Sequence, residues 1–146
     1  MNNMSALMSS ATDMWETPQW LFDRLNDVYH FEVDVCAVYE NAKCQRFYTP
    51  EMDGLMQIWE GVCWMNPPYG CEISKWIRKA YESAQNGATV VCLLPSRTDT
   101  AWWHEYCMRG DITFLRGRLK FGDQKKLRPI SKCGCGFQIA KGGYAP

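Results

Sequence analysis

The residues best placed to do chemistry are Asn66-Pro67-Pro68-Tyr69, which follow the apolar run Val62-Cys63-Trp64-Met65. That run reads as a short buried strand. The two prolines lack N–H groups and fix φ, so neither a regular helix nor a central strand can continue through them. A polar amide, a stiff turn and an aromatic ring therefore stand together at a strand end. Open α/β sheets keep their binding sites at such ends. A strand-terminating turn with a packed tyrosine accounts for the same four residues equally well.

The elements around this turn fit an α/β domain. Thr17 can cap a helix and Pro18 suits its first turn; Leu21, Phe22, Leu25, Val28 and Tyr29 then form one apolar stripe. Phe31 to Ala37 reads as a strand with Asp34 near its end. Val38 to Trp59 is irregular, with a turn at Asp53-Gly54. Ile73, Trp76, Ile77, Ala80, Tyr81 and Ala84 mark the clearest helix, closed by Gly87. Thr89 to Leu94 is an apolar run stopped by Pro95, as in a strand buried on both faces. A helix starts near Trp102-Trp103, whose rings read as core. Strand material brackets Gly117. Helices alternating with strands imply a mostly parallel sheet with helices on both faces.

Composition narrows the class. With 146 residues, 47% hydrophobic and seven tryptophans, the chain is expected to fold as one domain. No apolar run is long enough to span a membrane, and Met1 to Met14 lacks the pattern of a signal peptide. Residues 1–14 read as a mobile leader, and a cytoplasmic protein is expected. Eight cysteines occur without any Cys-x-x-Cys, and His30 and His104 lie far apart. Reduced core thiols are expected, and no metal site. Net charge is zero but unevenly spread: residues 1–73 carry 11 acidic and 3 basic side chains, residues 74–146 carry 5 and 13. A nucleic-acid face on the second half is consistent with this, as is a solvated surface.

Eight blocks share one resemblance. They are Trp15-x-Thr17-Pro18, Asp34-Val-Cys-Ala37, Asn41-Ala-Lys-Cys44, Phe47-Tyr48-Thr49, Asp53-Gly54-Leu55, Asn66-Pro-Pro-Tyr-Gly70, Leu94-Pro-Ser-Arg-Thr-Asp-Thr100 and Gly117-Arg-Leu-Lys-Phe121. From Trp15 to Gly122 the chain resembles the short phage and prophage DNA N6-adenine methyltransferases, the Dam-like family. The resemblance implies a Rossmann-like fold, S-adenosylmethionine as methyl donor and double-stranded DNA as partner, in the cytoplasm of a bacterial host. It implies that Asn66 and the Pro67 carbonyl accept the hydrogens of adenine's amine, held by the Pro67-Pro68 turn, while Tyr69 stacks on a flipped base. Thr17, Pro18, Asp34, Cys36, Ala37 and Asp53 are the implied cofactor contacts. Arg97, Arg116, Arg118 and Lys120 are the DNA-contact candidates. The Gly-x-Gly loop of many methyltransferases is replaced by Cys36-Ala37. An RNA or protein-amide methyltransferase and an inactive prophage remnant are the alternatives.

The methyltransferase domain is expected over residues 15–124, with an atypical tail over 125–146. Lys126 to Phe137 shows neither helical nor strand periodicity. Read one nucleotide forward, Cys133 and Cys135 must each become Ala or Val. The whole stretch can then become Asn-Cys-Ala-Pro-Phe-Pro-Ser-Ala-Ala-Val-Val-Phe, a segment the family carries. A frameshifted tail and a disrupted C-terminal strand are expected on this reading.

Overall fold

The computed structural model describes residues 16–117 and 119, together with the backbone of residues 135–141. Its helices are α1 (Gln19–Tyr29), α2 (Ile73–Gln85) and α3 (Ala101–Glu105). Its strands are β1 (Val33–Asp34), β2 (Arg46–Phe47), β3 (Val62–Met65), β4 (Thr89–Pro95), β5 (Asp111–Phe114) and β6 (Cys135–Lys141). Single 3₁₀ turns occupy Gly54–Met56 and Cys107–Arg109.

The strands form one sheet in the order β2-β1-β3-β4-β6-β5. β1 pairs in parallel with both β2 and β3, and β3 in parallel with β4. β6 runs antiparallel between β4 and β5. This is the mostly parallel α/β architecture expected. From β1 the chain moves outward to β2, then crosses back to build β3 on the other side of β1. The strand order therefore switches direction between β1 and β3, and a crevice opens beyond their carboxyl ends.

Burial explains why the apolar runs form these strands. Cys63, Trp64 and Met65 are all buried, as are the six residues from Val90 to Pro95. Successive strand residues point to opposite faces, so both faces of the central sheet are covered. Trp64 anchors one side, with its ring 5.5 Å from Phe22 of α1 and 5.4 Å from Phe31 between ring centroids. α2 buries Ile73, Ile77, Ala80 and Ala84, as its spacing predicts. Gly87 follows it with φ of +105°, where an L side chain would be strained. Gly54 lets the 3₁₀ turn press against the sheet, since a Cβ there would overlap the Val35 carbonyl oxygen and crowd the Trp76 ring.

Two expectations are corrected. Val28 is 70% exposed and stands off the buried face of α1, which is built by Leu21 and Phe22 with Leu25 and Tyr29 at its margin. The expected loss of the C-terminal strand is also corrected: Cys135–Lys141 forms β6, paired along seven positions with β4. The aperiodic stretch ended at Phe137, whereas the strand runs on through Gln138-Ile139-Ala140. From Cys135 onward the residue types do alternate. The leader (1–14), Arg118, Lys120, and the tail apart from β6 lie outside the described residues.

Candidate active site

Asp34 closes β1, and Asn66 is the first residue beyond β3. The two strands pair with Asp34 opposite Trp64, so both polar residues reach the same end of the sheet. They line a solvent-open cleft together with Glu16, Thr17, Cys36, Asn41, Lys43 and Trp64. The cleft therefore occupies the crevice that the strand order creates.

Asn66 is only 8% exposed, and its Oδ1 is fully buried. Its Nδ2 donates to the Thr17 hydroxyl oxygen at 2.9 Å. Thr17 itself is 3% exposed. The expected capping role of Thr17 is corrected: Pro18 takes the N-cap position of α1 without any side-chain cap, and its carbonyl receives the N–H groups of Leu21 and Phe22. The hydroxyl instead turns into the cleft.

Asp34 is buried at 3% exposure. Its two carboxylate oxygens accept the backbone N–H groups of Cys36 at 3.2 Å and Lys43 at 3.0 Å. These bonds fold the loop after β1 over the strand end. Burial nonetheless outweighs them and pushes the carboxyl up to about 7; both N–H donors and the Lys43 ammonium pull the other way. Each oxygen keeps a second lone pair for a ligand hydroxyl or amine. Burial, then the neighbouring Asp34 charge, hold the Cys36 thiol well above its ordinary range. It therefore stays protonated and unreactive. The Lys43 ammonium is held beside the cleft by the Gln19 amide oxygen at 2.9 Å.

The Pro67-Pro68 turn is fixed from the other side. Arg97 donates from Nη1 to the Tyr69 carbonyl at 3.0 Å, and the Tyr69 hydroxyl donates to the Leu93 carbonyl at 3.4 Å. Tyr69 is 7% exposed and packs within the core.

Of the residues expected here, the cleft gathers Thr17, Asp34, Cys36 and Asn66. Pro18, Ala37, Pro67, Pro68 and Tyr69 flank it without lining it. Asp53 is exposed at φ of +52°, and its side chain accepts the Leu55 N–H as the cap of the first 3₁₀ turn. Arg97 faces the turn, and Arg116 is exposed. Glu16, Asn41, Lys43 and Trp64 join the lining without having been assigned a role. The block Asn41-Ala-Lys-Cys44 was the available signal, because its spacing wraps one loop over Asp34. Among the described residues no group of three or more His, Cys, Asp or Glu side chains could hold a metal ion. Among them, too, no helix is long and apolar enough to cross a membrane.

Comparison with known proteins gives a consistent result. A family model described as DNA N-6-adenine-methyltransferase (Dam) matches residues 4–136. The chain is 36% identical over 112 residues to the DNA N-6-adenine-methyltransferase of Haemophilus phage HP1 (strain HP1c1), covering 75% of this chain and 64% of that protein. It is 32% identical over 96 residues to the DNA N-6-adenine-methyltransferase of Escherichia phage T1, covering 64% of this chain and 40% of that protein. The chain thus spans less than two-thirds of the length of either relative.

Proposed function

The chain belongs to the DNA N-6-adenine-methyltransferase (Dam) family, and from that premise we propose that it methylates the N6 amine of adenine in double-stranded DNA, with S-adenosylmethionine as donor. The observation that carries the reading is the meeting of Asn66 and Asp34 in one cleft at the strand-order switch.

Adenine's exocyclic amine is a weak nucleophile because its lone pair is delocalised into the ring. Two acceptors aimed at its hydrogens favour a pyramidal nitrogen that recovers that lone pair. The Asn66 Oδ1 and the Pro67 carbonyl are those acceptors. Their value lies in being placed beforehand. Thr17 holds the amide, the Pro-Pro backbone stiffens the turn, and Arg97 holds the Tyr69 carbonyl. The base reaches the turn only when rotated out of the duplex. Meeting it with the Tyr69 ring requires the ring to leave its core packing and the Leu93 carbonyl, to which its hydroxyl donates at 3.4 Å.

The donor set of the cleft fits the cofactor. Asp34 and Glu16 can accept from ribose hydroxyls or an ammonium, and Lys43 can pair with a carboxylate. Thr17, Pro18, Cys36 and Ala37 complete the surroundings. When bound, S-adenosylmethionine supplies an electrophilic methyl group for direct displacement. The exposed Arg116 and the partly buried Arg97, with Arg118 and Lys120, provide phosphate contacts.

The test is incubation of the purified protein with unmethylated genomic DNA and methyl-tritiated cofactor, followed by nuclease digestion and nucleoside analysis. Label in N6-methyladenine that survives ribonuclease and protease supports the proposal. Its absence from DNA, or its appearance only in RNA or protein, overturns it.

A further inference from the structure

Thr17 and Asn66 lie 49 residues apart in sequence, yet they share a buried side-chain hydrogen bond at 2.9 Å. We infer that Thr17 is a positioning residue for methyl transfer, holding the Nδ2 end of the Asn66 amide so that the amide is fixed in place before the substrate amine arrives. The inference deepens the proposed function and rests on it.

The two ends of an Asn amide are nearly equal in shape and opposite in hydrogen bonding. With Oδ1 toward the base, the side chain accepts an amino hydrogen. Turned over, it would present N–H₂ to N–H₂, and the clamp would repel the group it must hold. In the productive orientation the Nδ2 end needs a partner, and the Thr17 Oγ1 accepts from it at 2.9 Å; because a hydroxyl can also donate, this bond fixes where the amide sits rather than choosing its end.

Three features suit Thr17 to this task. Its hydroxyl is not committed to capping α1, because the N-cap falls to Pro18. It is buried, so water does not compete for the bond. Its β-branched side chain is stiff at χ1, which fixes the direction of the oxygen. Pro18 stiffens the backbone just after it. The entry segment of α1 thereby sets the geometry of a turn built at the far end of β3.

A cofactor contact at Thr17 would act differently. Its removal would weaken cofactor binding and leave the rate at saturation unchanged. An amide-holding contact acts on the rate at saturation. Thr17→Val keeps the shape of the side chain and deletes the acceptor. We expect kcat at saturating cofactor to fall about 10- to 100-fold, whether or not the cofactor Kd from calorimetry also changes, since Thr17 borders the cofactor cleft. Thr17→Ser, which restores the oxygen, should recover most of the rate. A change in kcat below about threefold, or a loss confined to cofactor Kd, overturns the inference. If Thr17→Val does not fold, Thr17→Ala and Thr17→Ser are compared instead. Ala slower than Ser at saturating cofactor supports the inference, and equal rates overturn it. A wild-type protein that transfers no methyl to DNA fails the underlying reading, and this inference falls with it. An active wild type with an unaffected Thr17→Val fails the inference alone.

Discussion

β1 and β4 lie on either side of β3 and divide the work of the sheet unequally. β4 is seven residues long and hydrogen-bonded on both sides, to β3 and to β6. Its interior is apolar and buried, and none of its residues lines the cleft. β1 has two residues, and the second is a buried carboxylate whose oxygens already organise the following loop. A long strand paired along its whole length with β6 and from Thr89 to Cys92 with β3 supplies rigidity. A strand that stops early leaves polar groups at its end, where a ligand can reach them. Asn66 benefits from both, since β3 is held by β4 along one edge while its end opens beside Asp34.

The largest expected effect would separate the two regions outright. Asn66→Ala should reduce methyl transfer by about a thousandfold in a protein that still folds, the lost bond to Thr17 lowering stability by only about 1–3 kcal/mol. Transfer retained in a folded variant would erase the distinction. Leu93→Ala, in the buried centre of β4, should lower the stability by about 2–5 kcal/mol in a denaturant titration. Its activity per folded molecule should persist, and a specific loss of kcat would place chemistry on the strand assigned to rigidity.

A smaller effect concerns pH. The Asp34 carboxyl is pushed up to about 7 in the fold, chiefly by burial, whereas in the unfolded chain it ionises near its ordinary value of about 3.9. Below both values the group is protonated in either state and costs nothing. As pH rises from about 4 to about 7, only the unfolded chain ionises, and stability falls by an amount on the order of a few kcal/mol. Above about 7 the loss is complete. Denaturant midpoints across this window should show the decline, and Asp34→Asn should flatten it. A midpoint that rises over the same window would contradict the burial cost assigned to β1's end. The smallest effect is expected at Arg116, exposed and remote from the cleft lining. Arg116→Ala should weaken DNA binding evenly across sequences and reduce its salt slope by about 1.

Much of this division was legible in the sequence. Periodicity located α2, and an unbroken apolar run stopped by proline located β4. The Asn-Pro-Pro turn marked a strand end and Asp34 another, because prolines and buried carboxylates have few places to go. Other features carry no local signal. β2 is two residues long, too short for any alternation to register. The Thr17–Asn66 bond depends on segments that meet only after folding, and Thr17-Pro18 looked locally like a helix cap. Val28 fits the helical spacing of α1 but is 70% exposed, because spacing alone does not say where the neighbouring elements end. Asp53 satisfies its own turn, a use that residue type and spacing leave open beside ligand binding. Sequencing the gene across codons 123–137 tests the proposal that the tail is read out of frame.

The position of β6 has a consequence for how the chain is made. β5 is translated before β6, yet among the described residues it joins the sheet through β6 alone. While the chain emerges from the ribosome, β1 to β4 can assemble, but β5 has nothing to pair with. The open edge of β4 is meanwhile a row of unpaired backbone groups flanked by apolar side chains, the kind of edge that recruits strands from other molecules. Insertion of β6 between two strands already synthesised is a long-range pairing, and such pairings form slowly. Its arrival fills that edge, and until then β4 is open to capture by a neighbouring chain.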